Sequence, residues 1–323
     1  MGFLTKTQAK QSKPTFKSRK YYSQSSTIKN VKYKTQAGSQ TQIEVLSPHH
    51  LRIGKKNGLI IRTNSLNTLR NVKIQKAVIS YRQDLDRYYI SFSVVKNRQQ
   101  LAQYKEKSNK TGKAIGIDLG LDKEWLVTSD GERFGVPDTF KVEKEMRKRQ
   151  SHYDRNRTAI EKQVARYNCE HENKIDKYNF SNWQKLRKTR SKYQLKINNK
   201  RYDYIQKITT ELVKNYDVIA IEDLKVKNLM RNHKLAHNIA NASWSMFRRL
   251  LAYKCEWYGK KLIVVVPQYT SRICSQCGEK NPRFAHMKVR DWLAVREWDC
   301  PFCHAHHDRD INASKNILAR AIS

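Results

Sequence analysis

Two short apolar runs in this chain each end in a carboxylate, and they constrain the fold more than any other feature. Residues 114–118 read Ala-Ile-Gly-Ile-Asp and end at Asp118, and residues 217–222 read Asp-Val-Ile-Ala-Ile-Glu and end at Glu222. Continuous apolar runs of this length are typical of strands buried inside an α/β sheet. The sequence therefore predicts an α/β fold in which two core strands each deliver an acid at the strand's centre or end.

A third acid, Asp310, lies just before an apolar pattern that predicts a final helix over residues 312–322. Taken alone, Asp310 could equally be a helix N-cap. Three convergent acids with no covalent nucleophile nearby are the hard oxygen ligands that two-metal phosphodiester hydrolysis requires. We therefore expect Asp118 to ligate both of two Mg²⁺ (or Mn²⁺) ions, while Glu222 and Asp310 complete one ion each. Asp223 and Asp308 are adjacent alternatives.

Four of the six cysteines form two Cys-x-x-Cys pairs separated by 22 residues. This spacing is a little longer than the usual four-cysteine spacing but is well suited to a zinc ribbon, and four thiolates in tetrahedral geometry favour one structural Zn²⁺. A redox dithiol is the alternative interpretation, but it needs only one such pair. His304, His306 and His307 are alternative ligands or polar neighbours. The predicted zinc ligands are Cys274, Cys277, Cys300 and Cys303.

The chain carries 65 lysines and arginines against 29 acids, which gives a net charge of +36. An excess of this size predicts a polyanionic partner, and interleaved tyrosines and tryptophans are suited to stacking on bases. On charge alone, a ribosomal-type or histone-like protein is the alternative. The N-terminus has no apolar signal core and no stretch is apolar enough to span a bilayer. We therefore expect a cytoplasmic protein without a membrane partner.

Changes of pattern along the chain predict three regions. Residues 1–40 are polar and basic and are expected to be flexible. Residues 41–105 alternate apolar and polar residues in short runs, which predicts a small basic β-barrel containing a hairpin around residues 82–87. Residues 106–323 hold the acids and cysteines, interrupted by a helical insert over 141–215 that is expected to form two antiparallel basic helices. Further expectations are a helix over 243–258 closed by Gly259 and a buried strand over 262–266.

Several of these segments together resemble the TnpB family, the RuvC-type nucleases of small insertion sequences that are related to compact type V CRISPR effectors. The resemblance implies an RNase H-like (RuvC) α/β nuclease domain with a helical insert and a zinc ribbon over 270–306, preceded by a wedge-like β-barrel domain. It implies catalytic roles for Asp118, Glu222 and Asp310, and a lid over 223–242. The segments that carry it are residues 116–120, 221–232, 270–278, 308–317 and 14–19.

The function implied by this resemblance is an RNA-guided DNA endonuclease of a transposable element. Its partners would be a guide RNA from the transposon end and a double-stranded DNA target. The alternatives are a nuclease-inactive or decayed RNA-guided DNA-binding regulator and a guide-independent RuvC-like nuclease. Two departures from the family accompany this expectation. Only 13 residues precede segment 14–19, so an N-terminal recognition module is expected to be lacking, and His304 stands where a glycine suited to positive φ is frequent.

Overall fold

The chain divides into two compact units, which are described separately. One comprises residues 1–97 and 144–195, and the other comprises residues 98–143 and 196–323. Within the described residues, no helix combines the length and apolar character needed to cross a membrane. The computed structural model describes residues 24–29, 31–33, 42–54, 57–69, 72–95, 99, 102, 105–106, 110–121, 124–224, 242–284, 287 and 289–323.

The strands of the first unit form two sheets around a shared apolar core. One sheet has the order β1-β6-β7 and the other has the order β2-β3-β4-β5. Buried side chains from both sheets, including Ile43, Leu51 and Ala77, belong to one cluster. A closed barrel remains a prediction. The strands are β1 Gln24–Ile28, β2 Val31–Tyr33, β3 Ile43–Ser47, β4 His50–Ile53, β5 Leu59–Arg62, β6 Lys73–Arg82 and β7 Arg87–Val95.

The expected flexible segment over residues 1–40 is wrong where β1 and β2 form. Strand β1 pairs antiparallel with β6, and β2 pairs parallel with β3. The polar sequence of β1 gave no alternating signal because this strand lies at a sheet edge, where backbone hydrogen bonds alone can hold it. The β6–β7 hairpin is confirmed, and the pairing of β6 has an irregularity between Ile74 and Lys76.

Two long helices form the predicted insert, α1 over Phe140–Glu170 and α2 over Ser181–Asn215. They run antiparallel: the Nε of Arg149 donates to the hydroxyl of Tyr193 at 3.1 Å, and Arg201 pairs with Glu143 at 2.7 Å. The prediction of two antiparallel helices is therefore confirmed. Residues 144–195 belong to the first unit, whereas residues 140–143 of α1 and 196–215 of α2 belong to the second. That the segment is an insert of a nuclease domain stays a prediction.

A five-stranded sheet is the centre of the second unit, with the order β10-β9-β8-β11-β12. Strand β9 is antiparallel to β8, whereas β11 is parallel to both β8 and β12. Strand β12 was expected to be buried, but it is an edge strand and Val264 is 37% exposed. The strands are β8 Ala114–Leu119, β9 Glu124–Thr128, β10 Arg133–Gly135, β11 Val218–Glu222 and β12 Lys261–Val265.

Helices cover this sheet and place the third acid. Helix α3, Trp244–Tyr258, buries Phe247 and Leu251 and ends at Gly259, whose φ of 69° confirms the predicted C-cap. Three further elements lie in the cysteine region: helix α4 Val289–Ala294 and the strand pair β13 Glu297–Asp299 and β14 His306–Asp308. The last helix, α5, spans Arg309–Ile322.

Helix α5 begins three residues earlier than expected. Its N-cap is Asp308, whose side chain accepts hydrogen bonds from the backbone N–H groups of Asp310 and Ile311. The alternative interpretation of Asp310 as the N-cap is therefore wrong. A capping carboxylate satisfies donors that the first helical turn cannot pair internally, and this extends the helix toward the strand pair.

Candidate functional site

Asp118 and Glu222 lie side by side on the two central strands of the five-stranded sheet. In the parallel pairing of β8 with β11, Ala114 is opposite Val218 and Ile117 is opposite Ile221. The next position on each strand is the acid. Because side chains at the same level of adjacent strands point to the same face, the register brings the two carboxylates together. Two separate sequence segments therefore form one acidic site.

Asp310 reaches the same site from the second residue of α5. A cleft is lined by all three acids and by Thr270, Trp244 and Trp292, among others. Helix α5 packs directly on β8, and a Cβ at Gly116 would lie 2.0 Å from the carbonyl oxygen of Ser314. The absence of a side chain at Gly116 therefore allows the helix that carries Asp310 to approach the strand that carries Asp118.

The electrostatics of the site are those of acids brought together out of water. Burial, and then the charges of Glu222 and Asp310, raise the pKa of Asp118 to about 8. Burial also raises the pKa of Glu222, against the hydrogen bond from Thr270. Acids with raised pKa values are stabilised in their charged form by a cation, so this cluster is suited to binding one.

Arginines line the acid cleft. Arg309 donates to one oxygen of Asp310 at 2.8 Å, and Arg296 donates to the other at 3.1 Å. Arg133 bridges Glu124 at 2.5 Å and Asp308 at 2.7 Å. Burial alone would raise the pKa of Asp308, but the N–H of Ile311 and the guanidinium of Arg133 keep this pKa below its usual value. Cationic groups beside a carboxylate cluster are suited to an anionic substrate such as a phosphodiester.

The donor set at the three acids fits Mg²⁺ or Mn²⁺, since all of its ligand atoms are hard oxygens. The acids do not form as tight a group as the cysteines. Among the described residues, only the cysteines have ligand atoms that all lie within 4.8 Å of one another. Both oxygens of Asp310 accept hydrogen bonds from guanidinium groups in this structure.

The four cysteines form a compact cluster that can hold one metal ion. The sulfurs of Cys274 and Cys303 are 3.6 Å apart, as are those of Cys277 and Cys300. Tetrahedral Zn²⁺ with bonds of about 2.3 Å would place sulfurs about 3.8 Å apart, so the cluster fits a structural zinc. Against the effect of burial, backbone N–H groups of Cys303 and Phe302 lower the pKa of the Cys300 thiol to about 7, which favours the thiolate.

The side chain of His307 contacts the cysteine cluster, whereas that of His306 is exposed. The Nε2 of His307 is 3.0 Å from the sulfur of Cys274, and its ring lies 4.6 Å from that of Trp298. His306 is exposed and pairs with Asp299. His304 has a φ of 57°, as its position in the knuckle predicted. Buried Phe284, Trp292 and Trp298 complete a small apolar core around the cysteines.

The site includes polar residues that lie in segments 270–278 and 308–317 but to which the sequence assigned no role. Thr270 donates to Glu222 at 2.5 Å, and Asn316 donates to the carbonyl of Thr270 at 2.7 Å. Single threonines and asparagines carry no periodic signal, so only their place in the segments that carry the resemblance could have drawn attention to them. Asp223 pairs with Arg248 at 2.5 Å and is half-exposed. The lid predicted over 223–242 lies mostly outside the described residues.

Two family models match the chain. The family described as "Cas12f1-like, TNB domain" matches residues 244–317, and the family described as "Probable transposase" matches residues 91–233. The first match contains the cysteine cluster and Asp310, and the second contains Asp118 and Glu222.

Curated relatives agree with these matches. The chain is 35% identical over 222 residues to a "Putative RNA-guided DNA endonuclease" of Streptomyces pristinaespiralis, covering 66% of this chain and 46% of the relative. It is 33% identical over 138 residues to the Escherichia coli protein "Putative RNA-guided DNA endonuclease InsQ", covering 38% of this chain and 33% of the relative. A "TnpB-like protein" of Acanthamoeba polyphaga mimivirus is 32% identical over 133 residues, which is 39% of this chain and 24% of the relative.

Each of these alignments thus spans less than half of the relative's length. Among solved structures, the "Cryo-EM structure of the Cas12f1-sgRNA-target DNA complex" contains a chain that is 18% identical. It aligns with a TM-score of 0.45 and covers 76% of this chain and 46% of that one. The family matches and the curated relatives, taken with the motifs they contain, support a TnpB-family protein.

Proposed function

We propose that this chain is an RNA-guided DNA endonuclease of a transposable element, which hydrolyses DNA phosphodiester bonds at Asp118, Glu222 and Asp310. The observation that carries the proposal is the strand register, which places Asp118 level with Glu222 on adjacent parallel strands. Asp310 lines the same cleft from the last helix, so acids from three separate segments meet at one site. Relatives whose names denote RNA-guided DNA endonucleases support the same function.

An RNase H-like (RuvC) fold is part of the proposal. Its support is the order of the five-stranded sheet, in which the first strand is central, the second is antiparallel to it, and the fourth and fifth follow in parallel on its other side. In an open α/β sheet, a ligand site forms where the connections leave opposite sides of the central strands. Asp118 and Glu222 lie at the carboxyl ends of β8 and β11, where this rule places a site.

The side chains have separate roles in the proposed reaction. Asp118, Glu222 and Asp310 hold the divalent ions, and Arg296 and Arg309 keep the cleft attractive to a phosphate. Bound Mg²⁺ or Mn²⁺ would supply an activated water and neutralise the charge that develops on the phosphate. The cysteine cluster would hold one zinc ion and fix the ribbon over 270–306, which lies in the same unit as the acids.

The proposed partners are a guide RNA from the transposon end and a double-stranded DNA target. The net charge of +36 supports nucleic-acid partners of either kind. The antiparallel helices α1 and α2 present arginines stacked on aromatic rings, with Arg149 lying 5.3 Å from the ring centre of Tyr193 and Arg190 lying 5.2 Å from that of Tyr153. The guanidinium groups of both pairs are exposed and suited to phosphate contacts, and the ring of Tyr193 is partly exposed, whereas that of Tyr153 is buried.

The test is to co-express the chain with its native flanking DNA, purify it, and sequence the RNA that copurifies. The preparation is then incubated with Mg²⁺ and a matching DNA target behind randomised flanking bases. A discrete RNA with guided cutting is the expected result. Bound RNA without cutting would replace the proposal with an inactive RNA-guided regulator, and cutting that needs no RNA would replace it with a guide-independent nuclease.

A further inference from the structure

Glu222 is held in place by a hydroxyl group from outside its own strand. The side chain is 8% exposed, and its Oε1 accepts a hydrogen bond from the Oγ1 of Thr270 at 2.5 Å. Thr270 lies after the end of β12, on the segment that leads into the first cysteine pair. A hydroxyl that donates to one carboxylate oxygen fixes the rotamer and leaves the other oxygen available to an ion.

Thr270 is fixed in turn by the last helix. Asn316 is 7% exposed, and its Nδ2 donates to the carbonyls of Thr270 and Ile273, each at 2.7 Å. Two donated bonds use both hydrogens of the amide group. Because Asn316 lies in α5, the helix that carries Asp310 also determines where the backbone of Thr270 lies.

A second asparagine of α5, Asn312, hydrogen-bonds the same segment on both sides of Cys274. The Nδ2 of Asn312 donates to the carbonyl of Ile273, and its Oδ1 accepts from the N–H of Ser275, both at 2.8 Å. The side chain of Asn312 is 1% exposed, and both of these hydrogen bonds are at least partly buried. Asn312 thus holds the residues on either side of Cys274, the first zinc-ligand candidate, and Asn316 holds Thr270.

We infer that Thr270 is a positioning residue for Glu222. Asn312 and Asn316 keep the segment that contains Thr270 in a fixed position relative to Asp310 and the cysteine cluster. The five residues from Thr270 to Cys274 link the proposed zinc ligand to the proposed ligand of the divalent ion. Helix α5 hydrogen-bonds this five-residue segment near both of its ends and carries Asp310 in its own first turn. The inference rests on the proposed function, since it assigns Thr270 a role only in placing an ion ligand.

The test uses Thr270→Val, which keeps the shape of the side chain and removes the hydroxyl, and Thr270→Ser, which keeps the hydroxyl. Mn²⁺ binding is titrated by electron paramagnetic resonance on the full zinc-loaded chain after nucleic acid has been removed. Mg²⁺-dependent cleavage by the RNA-loaded protein is the second readout. Groups that only hydrogen-bond a metal ligand typically change affinity or activity by about 10–100-fold. Thr270→Val should weaken Mn²⁺ binding and raise the Mg²⁺ requirement by about that factor, and Thr270→Ser should restore both to within about threefold.

Zinc content and thermal stability separate positioning from folding. All variants should retain one zinc ion per chain, and Thr270→Ala replaces the valine variant if valine lowers the zinc content. Thr139→Val is the matched control, because Thr139 is also buried (5% exposed) but hydrogen-bonds Glu143 at the start of α1. This control should leave the Mg²⁺ requirement unchanged.

Each outcome distinguishes the inference from the function beneath it. Wild-type affinity in Thr270→Val, with affinity lost in Asp118→Ala, would overturn the positioning role and leave the proposed function standing. A Thr270→Ser variant as weak as Thr270→Val would also overturn it. Wild-type protein that neither binds Mn²⁺ nor cuts DNA would overturn both.

Discussion

Gly116→Ala tests whether the close approach of α5 to β8 builds the acid site. The added Cβ would lie 2.0 Å from the carbonyl oxygen of Ser314, 2.8 Å from the N of Leu318 and 2.9 Å from its Cβ, whereas contacts under 3.0 Å are essentially never seen. The helix would therefore have to retreat by at least about 1 Å, because the nearest atom is backbone and cannot rotate away.

The expected size of this effect follows from the contact. Overpacking costs about 1–3 kcal/mol, and a backbone clash belongs at the upper end, about 3 kcal/mol. In a domain of about 150–250 residues, a loss of 1 kcal/mol in the free energy of unfolding lowers the Tm by about 2–4 °C. The Tm of Gly116→Ala should therefore fall by about 6–12 °C. A shift of about 1 Å in a reacting group can reduce a rate about 100-fold, and Asp310 moves with the helix.

The assay is differential scanning calorimetry together with single-turnover cleavage by the RNA-loaded protein. Gly112→Ala is the matched control, because its Cβ would meet nothing within 4 Å while its φ of 69° disfavours a side chain. The control should lose about 1 kcal/mol of stability and keep its cleavage rate. A Gly116→Ala protein with the Tm and the rate of wild type would refute the packing argument.

Three further predictions concern the cysteine cluster, a buried lysine and the net charge. Cys300→Ser should lose zinc and expose residues 270–308 to proteolysis, because ion binding and local folding are coupled; wild-type protease resistance without zinc would contradict this. Burial lowers the pKa of Lys254 from 10.5 to about 8, so the unfolded chain binds the extra proton between these values. Urea titrations should therefore show wild-type stability rising relative to Lys254→Met from pH 8 to 10.5, and a difference independent of pH would count against it. The affinity for RNA should fall steeply with salt, with log–log slope of about −0.7 per neutralised phosphate, and a flat dependence would show that the +36 charge makes few phosphate contacts.

The two central strands of the five-stranded sheet could be predicted because most of their residues are buried. Strands β8 and β11 were recognisable as apolar runs ending in Asp118 and Glu222, and the structure places them next to each other. Their adjacency and exact register could not be predicted, since parallel pairing depends on contacts between segments more than a hundred residues apart. The cysteine cluster was predictable from spacing alone, because two short pairs can form a tetrahedral site only by meeting.

The missed features are those that local sequence does not encode. Strand β1 has one apolar residue, Ile28, and owes its conformation to pairing with β6. The start of α5 depends on Asp308 as an N-cap, which a run of alternating acids and arginines conceals. Thr270 and Asn316 act through hydrogen bonds to groups distant in sequence, and the role of such polar residues is recognisable only once the backbone positions are known.

The most direct test of the account is guided cleavage by Asp118→Asn beside the wild-type protein, with RNA and DNA binding measured in parallel. The substitution keeps the side chain's size and removes the charge that both proposed ions require. Groups that only contact a ligand already change activity by about 10–100-fold, so loss of the ligand should reduce the cleavage rate by more than about 100-fold. The account predicts this loss with nucleic-acid affinity within a few-fold of wild type. An Asp118→Asn protein that cuts its target at the wild-type rate would contradict it.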